Sequence, residues 1–212
     1  MDHIPAGEPG PAGRADGAGA GVALRPVAED DLPLIERLRT DPGLAGPFLW
    51  AGFTDARGFR RRWECDGMLG EDIGNLVVAR GAAFLGIVSY RRLAGAGPAW
   101  CWSIGISLLP EARGHGAGSR AQRLLAEYLF AHTTAHRIQA ETETGNLAEQ
   151  RALEKAGFTR EGVMREWGFR GGGYRDEVLY SLLRSDLHPN GADGTDGHGD
   201  GAAGAAGAGG AG

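Results

Sequence analysis

Residue types that could do chemistry concentrate in one stretch, Trp102–Gly118, reading WSIGISLLPEARGHGAG. An apolar run ends at Pro110. Glycines at 114, 116 and 118 then lead into a segment with Leu124, Leu125, Tyr128 and Leu129 on one helical face. The spacing predicts a strand, a glycine-rich turn and a helix in direct succession. The first turn of a helix carries unpaired N–H groups and a partial positive charge. Glycine removes side-chain bulk, so a phosphate can approach those N–H groups closely. Arg113 can add a charge-assisted contact to the same anion. The chemistry on offer is an anion held mainly by backbone, and a pyrophosphate fits it.

Two familiar phosphate loops are excluded. There is no GxxxxGK[ST], because no lysine lies here and Ser119 is followed by Arg120. The alternating glycines also fall one residue short of GxGxxG. A dinucleotide fold places its loop after the first strand, whereas several strands precede this one. Taken alone, the loop fits an ordinary helix start in a glycine-biased chain equally well.

The neighbouring residues separate those alternatives. Arg113-x-x-Gly116-x-Gly118, following Leu108-Leu109-Pro110-Glu111, resembles the pyrophosphate loop of the GCN5-related N-acetyltransferases (GNAT), Gln/Arg-x-x-Gly-x-Gly/Ala. Further on come Glu141-Thr142-Glu143-Thr144-Gly145-Asn146, Ala152-Leu153-Glu154-Lys155-Ala156-Gly157-Phe158, Glu161-Gly162, Tyr174-Arg175-Asp176 and Leu179-Tyr180-Ser181-Leu182-Leu183. These are similar to the branch named for ribosomal-protein-alanine N-acetyltransferases, and the resemblance runs over about 22–187 in the expected order.

The resemblance implies a GNAT fold: α/β, with a mixed, mostly antiparallel sheet of six to seven strands, flanking helices, and strands four and five splayed apart. It implies acetyl-CoA as cosubstrate. By position, the backbone of Ile106, Ser107 and Leu108 would pair with the pantetheine arm as if it were an added strand. Arg113 and the N–H groups of Gly114, His115, Gly116, Ala117, Gly118 and Ser119 would hold the pyrophosphate, and Asn146 would contact the cofactor near its pantetheine. The implied reaction is direct attack of a primary amine on the thioester, the amine being a protein N-terminus or a small molecule. Backbone N–H groups around Ile106 would stabilise the oxyanion. A non-catalytic acyl-CoA-binding module is the alternative. A homodimer is also in view, since dimers are frequent among such proteins.

The chain departs from the family pattern at three positions. Leu153 stands where many members carry a tyrosine acid, Ser103 where many carry a glutamate, and Glu149 where a serine is frequent. Glu143 and Glu149 are left as catalytic candidates, orienting or deprotonating the amine through water; solvated or helix-start carboxylates are the plainer account of both.

The elements that must position these residues follow from pattern. Val22–Val27 alternates and predicts a first strand. Acids at 29–31 open a helix bearing Leu32, Ile35 and Leu38, which Asp41-Pro42-Gly43 ends. A second helix is expected over 54–68. Runs at 75–80 and 83–91 flank a two-residue hairpin turn, and a third covers 100–109. Beyond the loop helix come a strand at 138–143, a helix at 147–156 and strands at 158–169 and 174–183.

Composition sets the limits. The chain has 212 residues, 38 of them glycine, and a net charge of -5. Glycine crowds the ends, so 1–21 and 188–212 are expected to be disordered around one domain at 22–187. Most of the negative charge also lies in the ends, leaving a near-neutral domain that argues against a nucleic-acid surface. No apolar run approaches a membrane span. Cys65 and Cys101 fit neither a disulfide framework nor a zinc pattern, and a cytoplasmic location follows. His132 and His136 lack a third ligand, so no metal is expected. Arg60-Arg61-Arg62 reads as a solvated helix face. Trp50 and Trp63 read as core first, acceptor-groove wall second.

Overall fold

The computed structural model describes residues 21–50 and 52–187; of the ends expected to be disordered, 1–21 and 188–212, all but Gly21 lie outside the described residues. The elements run β1 (Val22–Arg25), a 3-10 turn (Glu29–Asp31), α1 (Leu32–Thr40), α2 (Pro42–Ala45), α3 (Arg57–Asp66), β2 (Ile73–Arg80), β3 (Ala83–Ala94) and β4 (Trp100–Leu108). A second 3-10 turn (Pro110–Ala112) precedes α4 (Ala117–His132), β5 (Arg137–Glu143), α5 (Leu147–Ala156), β6 (Thr159–Arg170), β7 (Gly173–Leu183) and α6 (Arg184–Leu187). One seven-stranded sheet has the order β1-β2-β3-β4-β5-β7-β6. Its pairs are antiparallel except β4–β5, which is parallel. Fold class and splayed central strands are thus as the sequence leads one to expect.

Alternation sorts the strands onto two faces. Trp102 and Ile104 of β4 and Ile138 and Ala140 of β5 join Ala121, Leu125 and Leu129 of α4 and Leu153 of α5 in the main core. On the opposite face Val77, Ala79 and Ile87 pack with Leu32 and Ile35 of α1, and Phe59 and Trp63 of α3 lie against them. Leu153 is fully buried in the first core. Removing such a side chain costs ~2–5 kcal/mol. The leucine at the usual tyrosine position is therefore a packing residue.

Several local expectations change. Asp31 is buried and makes a bidentate pair with Arg25, Nη1 to Oδ2 at 2.6 Å and Nη2 to Oδ1 at 2.8 Å. It ties β1 to α1 and is not merely a dipole partner. Asp41 both ends α1 and caps α2, accepting from the Gly43 and Leu44 amides; four residues are too few to show a helical period. Arg60 reaches Glu29, Arg61 reaches Asp55, and Arg62 reaches Asn75 and the Ile73 carbonyl, so the basic run fastens α3 to its surroundings. Trp63 packs in the core and donates to Val27 O at 2.9 Å, while Trp50 stacks edge-on with the exposed Phe53.

Candidate functional site

The site begins where two strands part. β4 and β5 pair only at Trp102↔Ile138, Ser103↔Gln139 and Ile104↔Ala140. Beyond that, β4 stays paired with β3 as far as Leu108↔Gly86, and β5 stays paired with β7 as far as Glu143↔Glu177. Each strand follows its outer neighbour. The facing edges, Gly105–Leu108 and Glu141–Glu143, are left without a strand partner. Backbone groups on such edges need hydrogen-bond partners, and an extended amide-bearing ligand can supply them. Ile106 and Leu108 turn toward α4; a methyl group on Gly118 would lie 3.7 Å from Leu108, 3.9 Å from Ala152 and 4.0 Å from Ile106. Gly118 therefore marks the junction of α4, α5 and the free edge of β4.

The turn before α4 supplies the anion-binding feature. Gly114 and Gly116 have φ of 79° and 77°. That left-handed backbone strains any residue with a Cβ by about 1–2 kcal/mol. Among the described residues the amides of Gly114 through Ser119 have no hydrogen-bond partner, and no side chain caps the helix. The first amide with a carbonyl partner is Arg120, which donates to Gly116 O at 3.2 Å. A row of free N–H groups at the positive end of a 16-residue helix is suited to a phosphate.

Arg113 is placed differently from its sequence expectation. Its Nε donates to Leu108 O at 3.0 Å and its Nη2 to Leu44 O. The guanidinium fastens the end of β4 to α2 beside the turn.

Asn146 caps α5. Its Oδ1 accepts from Glu149 N at 3.3 Å, and its Nδ2 donates to Thr142 Oγ1 at 3.0 Å. One N–H and one lone pair of the carboxamide stay free. Glu143 and Glu149, the two carboxylate candidates, do not converge. Glu143 forms a bidentate pair with Arg170 of β6, both contacts at 2.6 Å. Glu149 lies on the α5 side of the sheet, partly buried. Loss of solvent pushes its pKa up to about 7, against a smaller lowering by Gln122 of α4.

Glu143 belongs to a second group, on the face away from α4 and α5. Alternation puts Ser103, Gln139, Glu141 and Glu143 on that face, with Glu177 directly opposite Glu143. Burial raises the pKa of Glu177, and Glu141 and Glu143 raise it further. The Arg170 guanidinium stands 5.6 Å from the Phe48 ring centroid, and Phe48 lies against Gly145. Pro42, Gly46, Pro47, Trp50 and Arg170 line a depression of about 430 Å³ beside it. The arrangement is an acidic floor with an aromatic and cationic wall, next to the gap between β4 and β5.

A family model described as "Acetyltransferase (GNAT) domain" matches residues 22–159. The chain belongs to the GNAT acetyltransferase family. Its match to a curated relative, the Bacillus subtilis protein named Probable N-acetyltransferase YjcK, is 36% identical over 83 residues, covering 39% of this chain and 46% of the relative. That alignment thus spans about half of the relative's length. Among solved structures, Mycobacterium smegmatis RimJ in complex with CoA-disulfide superposes with a TM-score of 0.67 at 22% identity, over 80% of this chain and 86% of that one. Spermidine N-acetyltransferase from Vibrio cholerae in complex with CoA and spermine gives a TM-score of 0.64 at 20% identity, over 79% and 98%. These likenesses establish the GNAT fold.

Gln122, Arg170 and Glu177 were not found by sequence reasoning. Gln122 carried a signal: a polar residue one turn after Gly118, within the otherwise apolar stripe of α4. Arg170 and Glu177 carried none, because only the β5–β7 and β6–β7 registers bring them beside Glu143.

Proposed function

We propose that this GNAT protein is an acetyl-CoA-dependent N-acetyltransferase that moves an acetyl group onto a primary amine by direct attack on the thioester. The observation that carries this reading is the coincidence of two unsatisfied backbone features: the free amides of Gly114–Ser119 and the unpaired β4 edge running up to them. A diphosphate suits the first and a pantetheine arm the second. In this assignment Gly114, His115, Gly116, Ala117, Gly118 and Ser119 hold the pyrophosphate, Ile106, Ser107 and Leu108 offer their backbone to the arm, and Asn146 uses its free N–H or lone pair.

The acceptor enters over the opposite face, where Glu141, Glu143 and Glu177 attract a cationic amine and Phe48 and Trp50 offer ring faces. A protein α-amine, with a pKa of about 7.7–8.0, is mostly protonated at pH 7 but keeps about a tenth of its molecules uncharged, enough to need little help from a base. Glu143, paired with Arg170, orients the acceptor. The departing thiolate gains a proton, and the amine gives one up to water. Small amines and N-terminal peptides both satisfy this chemistry; the Vibrio cholerae relative bound to spermine supports including polyamines.

The test is thiol release from acetyl-CoA across a panel of polyamines, amino acids, aminoglycosides and N-terminal peptides. Amine-dependent release is expected. Saturable CoA binding without release on any acceptor would instead favour the acyl-CoA-binding module.

A further inference from the structure

Gly105 sits inside β4, one residue before Ile106, and the fold gives no reason for a glycine there. Its φ is not positive, and the β3–β4 ladder runs past it without a bulge. A glycine inside a regular strand weakens it and marks a place where another group comes close. The missing side chain leaves a notch on the face lined by Glu141, Glu143 and Glu177. A Cβ built at Gly105 would meet one atom within 4 Å, Ser89 Oγ of β3 at 3.1 Å. Both residues are partly exposed, so the notch is open to solvent.

Hydroxyl oxygens flank it. Ser89 pairs directly with Gly105, and its hydroxyl donates to Gly105 O at a long 3.5 Å, which leaves its lone pairs free. Two residues further along β4, alternation puts Ser107 on the same face. Ser107 is 6% exposed, and its Oγ has no hydrogen-bond partner among the described residues. It is not sealed, because among those residues Gln122 Nε2 is the one side-chain atom both inaccessible and unpaired. Ile104↔Ala140 is the last β4–β5 pair, so Glu141 comes next in register, across the gap from Gly105.

Resting on the function proposed above, we infer that the Gly105 notch seats the acceptor nitrogen, with Ser89 Oγ and Ser107 Oγ each accepting one of its N–H bonds, so that the site selects primary over secondary amines. A neutral primary amine has two N–H bonds and one lone pair. The two hydroxyls take the N–H bonds and leave the lone pair to face the β4 edge, where the thioester carbonyl is assigned to the Ile106 amide. Orientation of this kind supplies a large part of the advantage of a bound over a free reactant. The lone pair forms the N–C bond, the C–S bond breaks, the sulfur keeps the electron pair and takes a proton, and the nitrogen releases a proton to water. Glu141 draws the ammonium form towards the notch. An N-methyl group removes one N–H and needs space that a serine occupies.

The experiment is steady-state thiol release by the full chain at saturating acetyl-CoA. Alaninamide and 1,4-diaminobutane are set against N-methylalaninamide and N,N′-dimethyl-1,4-diaminobutane, and the fastest amine of the panel above against its N-methyl derivative. Wild type is expected to prefer each primary amine that it acetylates by at least about tenfold in kcat/KM. Ser89→Ala and Ser107→Ala are each expected to lower kcat/KM on primary amines about fivefold to tenfold, as for one lost hydrogen bond. Secondary amines should be unaffected or improved, so the preference shrinks, and CoA affinity should stay within about twofold of wild type. Gly105→Ala fills the seat and is expected to cut kcat/KM at least about a hundredfold. Its Cβ also crowds Ser89 Oγ, so the deciding variant is Ser89→Ala/Gly105→Ala, which relieves that contact and keeps the seat filled; circular dichroism and CoA affinity show that it folds. Activity of this double variant equal to that of Ser89→Ala overturns the seat. So does a wild type without preference for primary amines, or serine variants that lose both amine types in equal proportion. CoA binding without thiol release on any amine of the panel overturns the functional reading itself.

Discussion

The two sides of the β4–β5 gap are built in different ways. On the α4 side the proposed cofactor contacts are mostly backbone amides and strand edges, set by a single continuous segment from β4 to the first turn of α4. On the opposite side the contacts are side chains: Phe48 and Trp50 from the segment after α2, Glu141 and Glu143 from β5, Arg170 from β6 and Glu177 from β7. A backbone site depends on conformation and tolerates much substitution of side-chain identity. A side-chain site changes with each residue. The invariant half of a transfer reaction suits the first design, and the variable acceptor suits the second.

The largest expected effect breaks the backbone half. Gly116→Glu puts a Cβ where φ is 77° and a negative charge where the helix N-terminus is proposed to meet phosphate. CoA affinity should drop by about a hundredfold or more, from strain of about 1–2 kcal/mol together with lost anion attraction. Titration calorimetry checks it, with circular dichroism to confirm folding; unchanged affinity in a folded variant removes the loop from the site.

Arg170→Ala tests the side-chain half. It unpairs a partly buried Glu143 and removes the cation beside Phe48. Acceptor KM is expected to rise about tenfold, equivalent to ~1.4 kcal/mol, while CoA affinity stays as in wild type. Equal losses in both would erase the division between the two sides.

Asn146→Ala touches the boundary between them, since this residue joins β5 to α5. Loss of the cap should cost about 1 kcal/mol of stability and lower turnover a few-fold, read by chemical denaturation and steady-state kinetics. Wild-type kinetics with only the stability loss would make Asn146 a structural cap alone.

The smallest effect lies outside both halves. Arg137 and Ser181 hold the Glu161 carboxyl down to about 2. A depressed carboxyl stabilises the fold above its ordinary value of 4.5, and that stability is lost as pH falls toward about 2. Glu161→Gln should therefore flatten the acid limb of the thermal midpoint between those values without altering either ligand's binding.

The same contrast explains what the sequence revealed. α5 is found at Leu147–Ala156, as expected, and β4 ends within one residue of its expected limit, because each is an unbroken periodic run closed by Asn146, Gly157 or Pro110. The loop was legible for the same reason: it is local. The structural bonds of Arg113 were not legible because its partners, Leu108 O and Leu44 O, lie partly outside the motif, and a guanidinium near a phosphate loop looks first like a phosphate ligand. Glu143 looked like a free carboxylate because Arg170, 27 positions away, comes beside it only through the β5-β7-β6 order. Helix α2 escaped notice because four residues carry no period.

The most direct test is titration calorimetry of the folded chain with coenzyme A. Saturable, one-to-one heat that disappears in Gly116→Glu is the expected result. No heat at millimolar coenzyme A, from a chain whose circular dichroism shows the intact α/β fold, contradicts the assignment of the gap between β4 and β5 as a cofactor site.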